Sequence, residues 1–246
     1  MRTFGLVGFP LSHSYSKEYF TRKFLQAALK AQYVNFELES IDGIRQLVGL
    51  ERNLEGFNVT IPHKQNILPF LDEISYAAGE VGAVNTVKVF REQDKIRLVG
   101  HNTDTQGFEN SLTTHQWKGI SSALILGTGG ASKAVTYVLK RKKISSICAS
   151  RNRSRNTLCY EDITADLLTN IDFIVNTTPL GMYPDVGSFP NIPYARLKKG
   201  ILAYDLVYNP EETMFLKYCA DVGCRIQNGL TMLHLQAEAA WRIWEE

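Results

Sequence analysis

Residues 121–139 read SSALILGTGGASKAVTYVL, and no other stretch constrains the fold as much. An unbroken apolar run ends at Leu126, and glycines follow at 127, 129 and 130. Beyond them Ala131, Ala134, Val135, Val138 and Leu139 recur at the spacing of one helical face. The pattern is a buried strand that turns through glycines into a helix. Such a turn bends tightly, lets a pyrophosphate approach the main chain, and offers it the free N–H groups of the helix start. Gly127, Thr128, Gly129, Gly130 and Ala131 are therefore candidate phosphate-binding residues. Ser132 stands at the usual third glycine position, and a plain tight turn is the alternative reading.

The next apolar run, ISSICASR (144–151), opens the stretch SRNRSR. A ribose with a free 2′-hydroxyl usually meets an acidic residue about 20 residues past the glycines, whereas a 2′-phosphate is accommodated by arginine. Here no acid occurs before Glu161, and Ser150, Arg151 and Arg155 lie at the end of the run. That placement favours NADP over NAD; a solvated basic loop is the alternative. Between Arg151 and the apolar TLCY too few residues remain for the usual crossover helix, which needs about a dozen or more. The sheet edge departs from a standard nucleotide fold at this point.

Elsewhere strands and helices alternate, which predicts an α/β protein with largely parallel sheets. Strands are expected at 3–9, 33–39, 56–61, 144–151, 171–178 and 201–208, and a short one at 224–227. A hairpin is expected from 83–90 and 95–102 across Arg91–Asp94. Helices are expected at about 15–31, 41–50, 104–115, 211–223 and 230–244, with a short one in LDEISYAAGEVGA (71–83). The character of the chain changes at Asp104, so a domain boundary is expected near 103–104.

At 246 residues the chain suffices for one large domain or two ordinary ones. The net charge of +2 gives no reason to expect a nucleic acid or an acidic membrane as partner. No apolar run approaches the roughly 18 residues of a membrane span. The opening MRTFGLVGFPLSHS lacks a small-residue cleavage pattern, so a buried first strand is expected there rather than a signal peptide. Cys148, Cys159, Cys219 and Cys224 form no CxxC pair. Neither a disulfide framework nor a metal site is expected, and a reducing cytoplasm fits.

Eight blocks then become legible together. They are GFPLSHSYSK (8–17), NVTIPHK (58–64), GAVNT (82–86), HNTD (101–104), GTGGAS (127–132), VNTTPLGM (175–182), DLVYNP (205–210) and NGLTMLHLQA (228–237). In order and approximate spacing they resemble the shikimate dehydrogenase family, from residue 3 to about 240. The resemblance implies NADP-linked, reversible reduction of 3-dehydroshikimate to shikimate, with a small-molecule substrate and a monomer or homodimer. It implies two α/β domains with the active site in the cleft between them. An N-terminal substrate domain would comprise 1–103 plus 228–246, and a Rossmann-like NADP domain 104–227.

Position by position, Lys64 and Asp104 resemble the family's catalytic pair. Reducing a ketone needs a hydride and a proton, and a lysine ammonium can give the proton and stabilise the developing alkoxide. Asp104 would orient the amine and bond the substrate; as an acid before TQGFENSL it also suits a helix N-cap. Ser14 and Ser16 resemble the pair that binds the substrate carboxylate, their i, i+2 spacing pointing both hydroxyls one way if the segment is extended. Capping of the following helix is the alternative. Thr60, Asn85 and Gln236 resemble residues that bind the ring hydroxyls, and Tyr208 one that lines the carboxylate end. Thr177, Thr178 and Gly229 would lie near the nicotinamide. His13 and His63 receive no role, and Asn152 stands where the family often has threonine. A quinate-accepting relative and a non-catalytic NADP-binding sensor are the competing readings.

Overall fold

A computed structural model describes residues 1–11, 14–93, 95–153 and 156–246. The chain divides into two units, Met1–Thr103 with Ala237–Glu246, and Asp104–Gln236.

The first unit is built on β1 (Arg2–Gly8), β2 (Ala31–Glu37), β3 (Leu54–Val59), β4 (Glu73–Ile74), β5 (Thr86–Glu92) and β6 (Lys95–His101). These strands lie in the order β2-β1-β3-β5-β6-β4. β1 is parallel to both its neighbours, while β5 runs antiparallel to β3 and β6. Helix α1 (Tyr15–Gln26) buries Phe20 and Phe24 among Phe4 and Tyr33 on one face. Helix α2 (Ile44–Leu50) buries Ile44 and Val48 with Phe57 and Leu98 in a second apolar cluster. Burying each such side chain contributes on the order of 1.5–3 kcal/mol relative to leaving it in water.

Two expected elements differ. The helix expected to reach residue 31 ends at Gln26, because Ala28 takes a left-handed φ of 50° and the Leu29 N–H closes back on Phe24 O at 2.9 Å. That reversal frees Ala31 to start β2. The segment 71–83 is helical only over α3 (Tyr76–Val81), where the Ser75 hydroxyl accepts the Ala78 N–H. The two residues of β4 before it pair with β6 instead.

The second unit has a wholly parallel sheet. Its strands are β7 (Ser122–Leu126), β8 (Ser145–Ser150), β9 (Thr157–Cys159), β10 (Phe173–Asn176), β11 (Leu202–Asp205) and β12 (Arg225–Gln227). They lie in the order β12-β11-β10-β7-β8-β9, which reverses direction between β7 and β10. This is the nucleotide-binding order of a Rossmann sheet, and ligands bind such sheets at the carboxyl ends beside that reversal. Helices α4 (Asp104–Ser111), α5 (Thr114–Trp117), α6 (Gly130–Arg141), α7 (Ala165–Thr169), α8 (Met214–Asp221) and α9 (Leu230–Glu245) complete the chain. Phe108, Val135, Val138 and Tyr204 fill one apolar cluster, and Ile174, Phe215 and Leu216 another.

The helix expected over 104–115 breaks after Ser111, because Thr113 and Gln116 form a capping box that starts α5. At the sheet edge β9 lies parallel beside β8 with only residues 151–156 between them, fewer than a crossover helix needs. Residues 228–236 fall in the second unit. Their anchor is Gly107 on α4, where a Cβ would stand 2.8 Å from the Cβ of Gln236 and 2.9 Å from Met232 O. The end of α9 belongs to the first unit, where Trp244 stacks on Phe4 at 5.0 Å and donates its indole N–H to Val87 O at 3.0 Å. Gly56 makes room for it, since a Cβ there would meet the indole at 2.3 Å.

Candidate active site

In the first unit, the chain leaving β3 is laced to its neighbours through the backbone. The Thr60 N–H donates to Val7 O (2.9 Å), the Phe9 N–H to Ile61 O (3.1 Å) and the His63 N–H to Thr60 O (2.8 Å). On the other side the Val84 N–H donates to Lys64 O (2.7 Å) and the Val59 N–H to Asn85 O (2.9 Å). Thr60, Lys64 and Asn85 are thereby gathered at one end of the sheet, with the first two part-exposed and Asn85 buried. His63 is buried and its Nε2 lies 2.6 Å from Leu38 O, so it pins the turn to the chain leaving β2.

Asn85 is held firmly. Its Oδ1 accepts the Thr103 N–H at 2.7 Å, and its Nδ2 donates to Thr103 Oγ1 at 3.0 Å. Behind it Asn58, on β3, donates to Asn85 O and Thr86 Oγ1 and accepts from the Tyr33 hydroxyl at 2.8 Å. A buried polar chain of this kind is stable because each member is satisfied, and it fixes the rotamers of those it touches. Burial drives the Tyr33 hydroxyl well above the usual phenol range, while the neighbouring Ser16 hydroxyl pulls it back.

Ser14 occupies the N-cap position of α1, yet its side chain makes no cap bond. Its hydroxyl is buried and has no hydrogen-bond partner among the described residues. An unmatched buried hydroxyl costs about 1–3 kcal/mol, and a ligand carboxylate would relieve that cost. The extended i, i+2 geometry expected for the pair does not occur, since Ser16 is already the second residue of α1. The helix, rather than strand alternation, sets how the two hydroxyls lie.

In the second unit the glycine turn lies at the reversal of strand order. Gly127 has a φ of 116°, and a Cβ there would stand 2.5 Å from Thr177 Oγ1, so only glycine fits. The Thr177 hydroxyl donates to Leu126 O (2.7 Å) and Thr178 bonds Asn176 Oδ1 through both its N–H and its hydroxyl. Gly129 is the N-cap of the twelve-residue α6 and offers no side chain to its first N–H groups; Thr128 and Gly129 are exposed. Gly130 and Ala131 form the first turn. A phosphate fits this uncapped helix start.

Ser150 ends β8 and donates to Asn152 O at 2.8 Å. Arg151 is exposed, and its carbonyl accepts from the Cys159 thiol. Arg153 is taken up in an ion pair with Asp162. Arg155 and His13 lie outside the described residues. Asp104 is the first residue of α4 and is 5% exposed, at the end of the helix that favours an anion. On α9, Gln236 donates to Leu233 O (3.0 Å). Part-exposed Tyr208 follows β11, and the Gly229 N–H donates to Val207 O at 3.2 Å.

Residues 6–87 match the family model described as the shikimate dehydrogenase substrate binding domain. The shikimate dehydrogenase (NADP(+)) of Methanococcus maripaludis (strain C6) is 36% identical over 259 residues, spanning 98% of this chain and 90% of that protein. The chain belongs to the shikimate dehydrogenase family. Among solved members of the family, shikimate dehydrogenase 1 from Peptoclostridium difficile is 37% identical with a TM-score of 0.84, covering 100% of this chain and 92% of that one. Shikimate 5-dehydrogenase from Thermus thermophilus, in complex with NADP(H) and shikimate, is 30% identical with the same TM-score of 0.84, covering 99% and 93%. Against this shikimate dehydrogenase frame, Tyr33, Asn58 and Asp205 are buried polar residues that received no role from the sequence, although Asn58 and Asp205 open the blocks NVTIPHK and DLVYNP. Their signal was a polar side chain inside or closing an apolar strand, as in GFNVTI and ILAYD.

Proposed function

We propose that this chain is an NADP-dependent shikimate dehydrogenase that reversibly reduces 3-dehydroshikimate to shikimate, a step of aromatic amino-acid (chorismate) biosynthesis. What carries the reading is that the family likeness runs through both units, at 36% identity over 98% of the chain. Neither the proton-handling residues nor the nucleotide turn is missing. In this reading the first unit is the substrate domain and the second, from Asp104, the NADP domain. The activity belongs to a monomer or homodimer in the cytoplasm.

Lys64 gives its ammonium proton to the carbonyl oxygen as the alkoxide develops, and takes it back in the reverse direction. The Asp104 carboxylate orients that amine. Ser14 and Ser16 receive the substrate carboxylate, an assignment supported by the unmatched buried hydroxyl of Ser14. Thr60, Asn85, Gln236 and Tyr208 take the remaining polar groups of the substrate. The cofactor supplies the hydride when bound. Gly127 to Ala131 hold its pyrophosphate, Ser150, Arg151 and Arg155 its 2′-phosphate, and Thr177, Thr178 and Gly229 flank its nicotinamide.

The deciding experiment is the assay of shikimate with NADP, followed at the reduced-nicotinamide absorbance, with quinate and NAD as parallel arms. Turnover is expected to be greatest with shikimate and NADP. Binding of both ligands without NADPH formation would replace the enzyme by a sensor. Arg151→Ala should lower kcat/KM for NADPH by about 10–100-fold, the worth of a charge-assisted bond to phosphate, and that for NADH by no more than about twofold. Equal losses with the two cofactors would remove Arg151 from the 2′-phosphate site.

A further inference from the structure

Asp205 closes β11 with no exposed surface at all, a rare place for a carboxylate. Three donors converge on it. Asn176 Nδ2 and the Val207 N–H each reach Oδ1 at 3.0 Å, and the Thr213 hydroxyl reaches Oδ2 at 2.5 Å. Each donor belongs to a different segment. Asn176 ends β10, Val207 lies in the chain leaving β11, and Thr213 caps α8 by accepting the Leu216 N–H.

The bonds continue outward from there. Asn176 Oδ1 accepts the Thr178 N–H (3.0 Å) and hydroxyl (2.6 Å), and its Nδ2 also reaches Leu180 O (3.3 Å). The Val207 carbonyl accepts the Gly229 N–H, and the Tyr183 N–H donates to Asn209 O at 3.1 Å. One carboxylate therefore holds the loop after β10 and the loop after β11, both at the carboxyl edge of the sheet. None of the roles assigned above falls on Asp205 itself. We infer that Asp205 is a positioning residue, a buried carboxylate whose bonds set the Thr177–Thr178 and Val207–Tyr208 segments in the arrangement that the nicotinamide end of the site requires. The inference rests on the functional reading given above.

Chemistry favours the ionised form in this task. The neighbours of the carboxylate are donors, and a protonated Asp205 would need an acceptor that only the Thr213 hydroxyl, turned round, could provide. Burial nonetheless pushes the carboxyl up to about 7, against the pull of its three donors. Among the described residues, the titratable groups that feel its charge are Tyr194, Tyr204 and Cys219. Burial lifts both tyrosines far above neutral pH, and the Cys224 thiol bond together with burial does the same to Cys219, so none of the three titrates in the same range. Burial lifts the carboxyl while the donor bonds pull it down, so for as long as Asp205 stays buried its hold on the two loops strengthens as it ionises through neutral pH.

The test is the Asp205→Asn variant of the full chain, with NADPH binding followed by nucleotide fluorescence at pH 6 and pH 8. Asn keeps the shape but presents an amide donor to one of the three donors. At pH 8 its dissociation constant should exceed that of the wild type by about tenfold, the loss expected when a bond to a charged group no longer holds a binding loop. At pH 6, where the wild-type carboxyl is itself protonated, the ratio should shrink to about threefold or less. Taking the ratio cancels titration of the cofactor phosphate, and a merely structural role would lower thermal stability without this pH signature. If Asp205→Asn does not fold, Asn176→Ala cuts the link to the β10 loop while leaving the carboxylate two donors, and should bind NADPH about tenfold more weakly at pH 8. Wild-type affinity at pH 8 in the variant measured, or an Asp205→Asn ratio that is the same at both pH values, would overturn the inference alone. A wild-type chain that binds no NADPH would overturn the functional reading and this inference with it.

Discussion

Lys64→Ala should lower turnover by about 10²–10⁴-fold, the range typical of a positioned acid–base group. In the proposed mechanism, loss of the ammonium would leave the developing alkoxide with neither a proton donor nor a cation beside it, and bulk water is a poor substitute in both respects. The loss should appear in kcat, with NADPH affinity changed by no more than about threefold, because the glycine turn belongs to the second unit. The fold should tolerate the substitution. It is the carbonyl of Lys64, not its side chain, that holds the Val84 N–H, and the side chain is part-exposed. Steady-state kinetics with shikimate and NADP, beside a melting curve, separates the two effects. Near-normal turnover would take Lys64 out of the mechanism.

The largest expected loss of stability comes from Trp244→Ala, about 3–5 kcal/mol in the first unit. The indole is 3% exposed and lies against Phe4, Phe20 and Trp241 as well as the backbone of Gly56. Truncation leaves a cavity between α1 and the sheet and removes the bond that the indole N–H gives the Val87 carbonyl. Gly56 cannot fill the gap, since it has no side chain. For a unit of this size the change corresponds to a fall of roughly 10–20 °C in its melting temperature. Trp244→Phe keeps most of the packing and should lose only about 1 kcal/mol above its smaller volume term. Calorimetry that resolves two transitions in the wild type and shifts only one in the variant would meet the expectation. An unchanged melting curve would contradict it.

Periodicity and punctuation carried most of the architecture. The long apolar runs at 121–126, 171–176 and 201–205 are strands because both faces of a parallel sheet are covered, and such runs stand out in any sequence. The glycine turn was equally plain, since Gly127 answers to a local backbone demand. What escaped was decided at a distance. β4 is two residues long and exists because β6 passes beside it. β9 is three residues long and lacks the crossover helix that normally announces a parallel neighbour. The geometry of Ser14 and Ser16 turned on where α1 starts, which spacing alone left open. Asp205 and Asn58 stood at the head of two motif blocks, but their roles were hidden for a different reason. Their importance lies in partners 8 to 29 residues away along the chain, and no short motif records those pairings.

The last turns of α9 have a bearing on how the molecule is made. Phe4 lies on the first strand of its unit, yet the tryptophans that cover it are Trp241 and Trp244. At about 5–20 residues per second the interval between them is roughly ten to fifty seconds. Residues 104–236 are contiguous and are made within that interval. The earlier half therefore keeps an open aromatic face until the last turns of α9 are made.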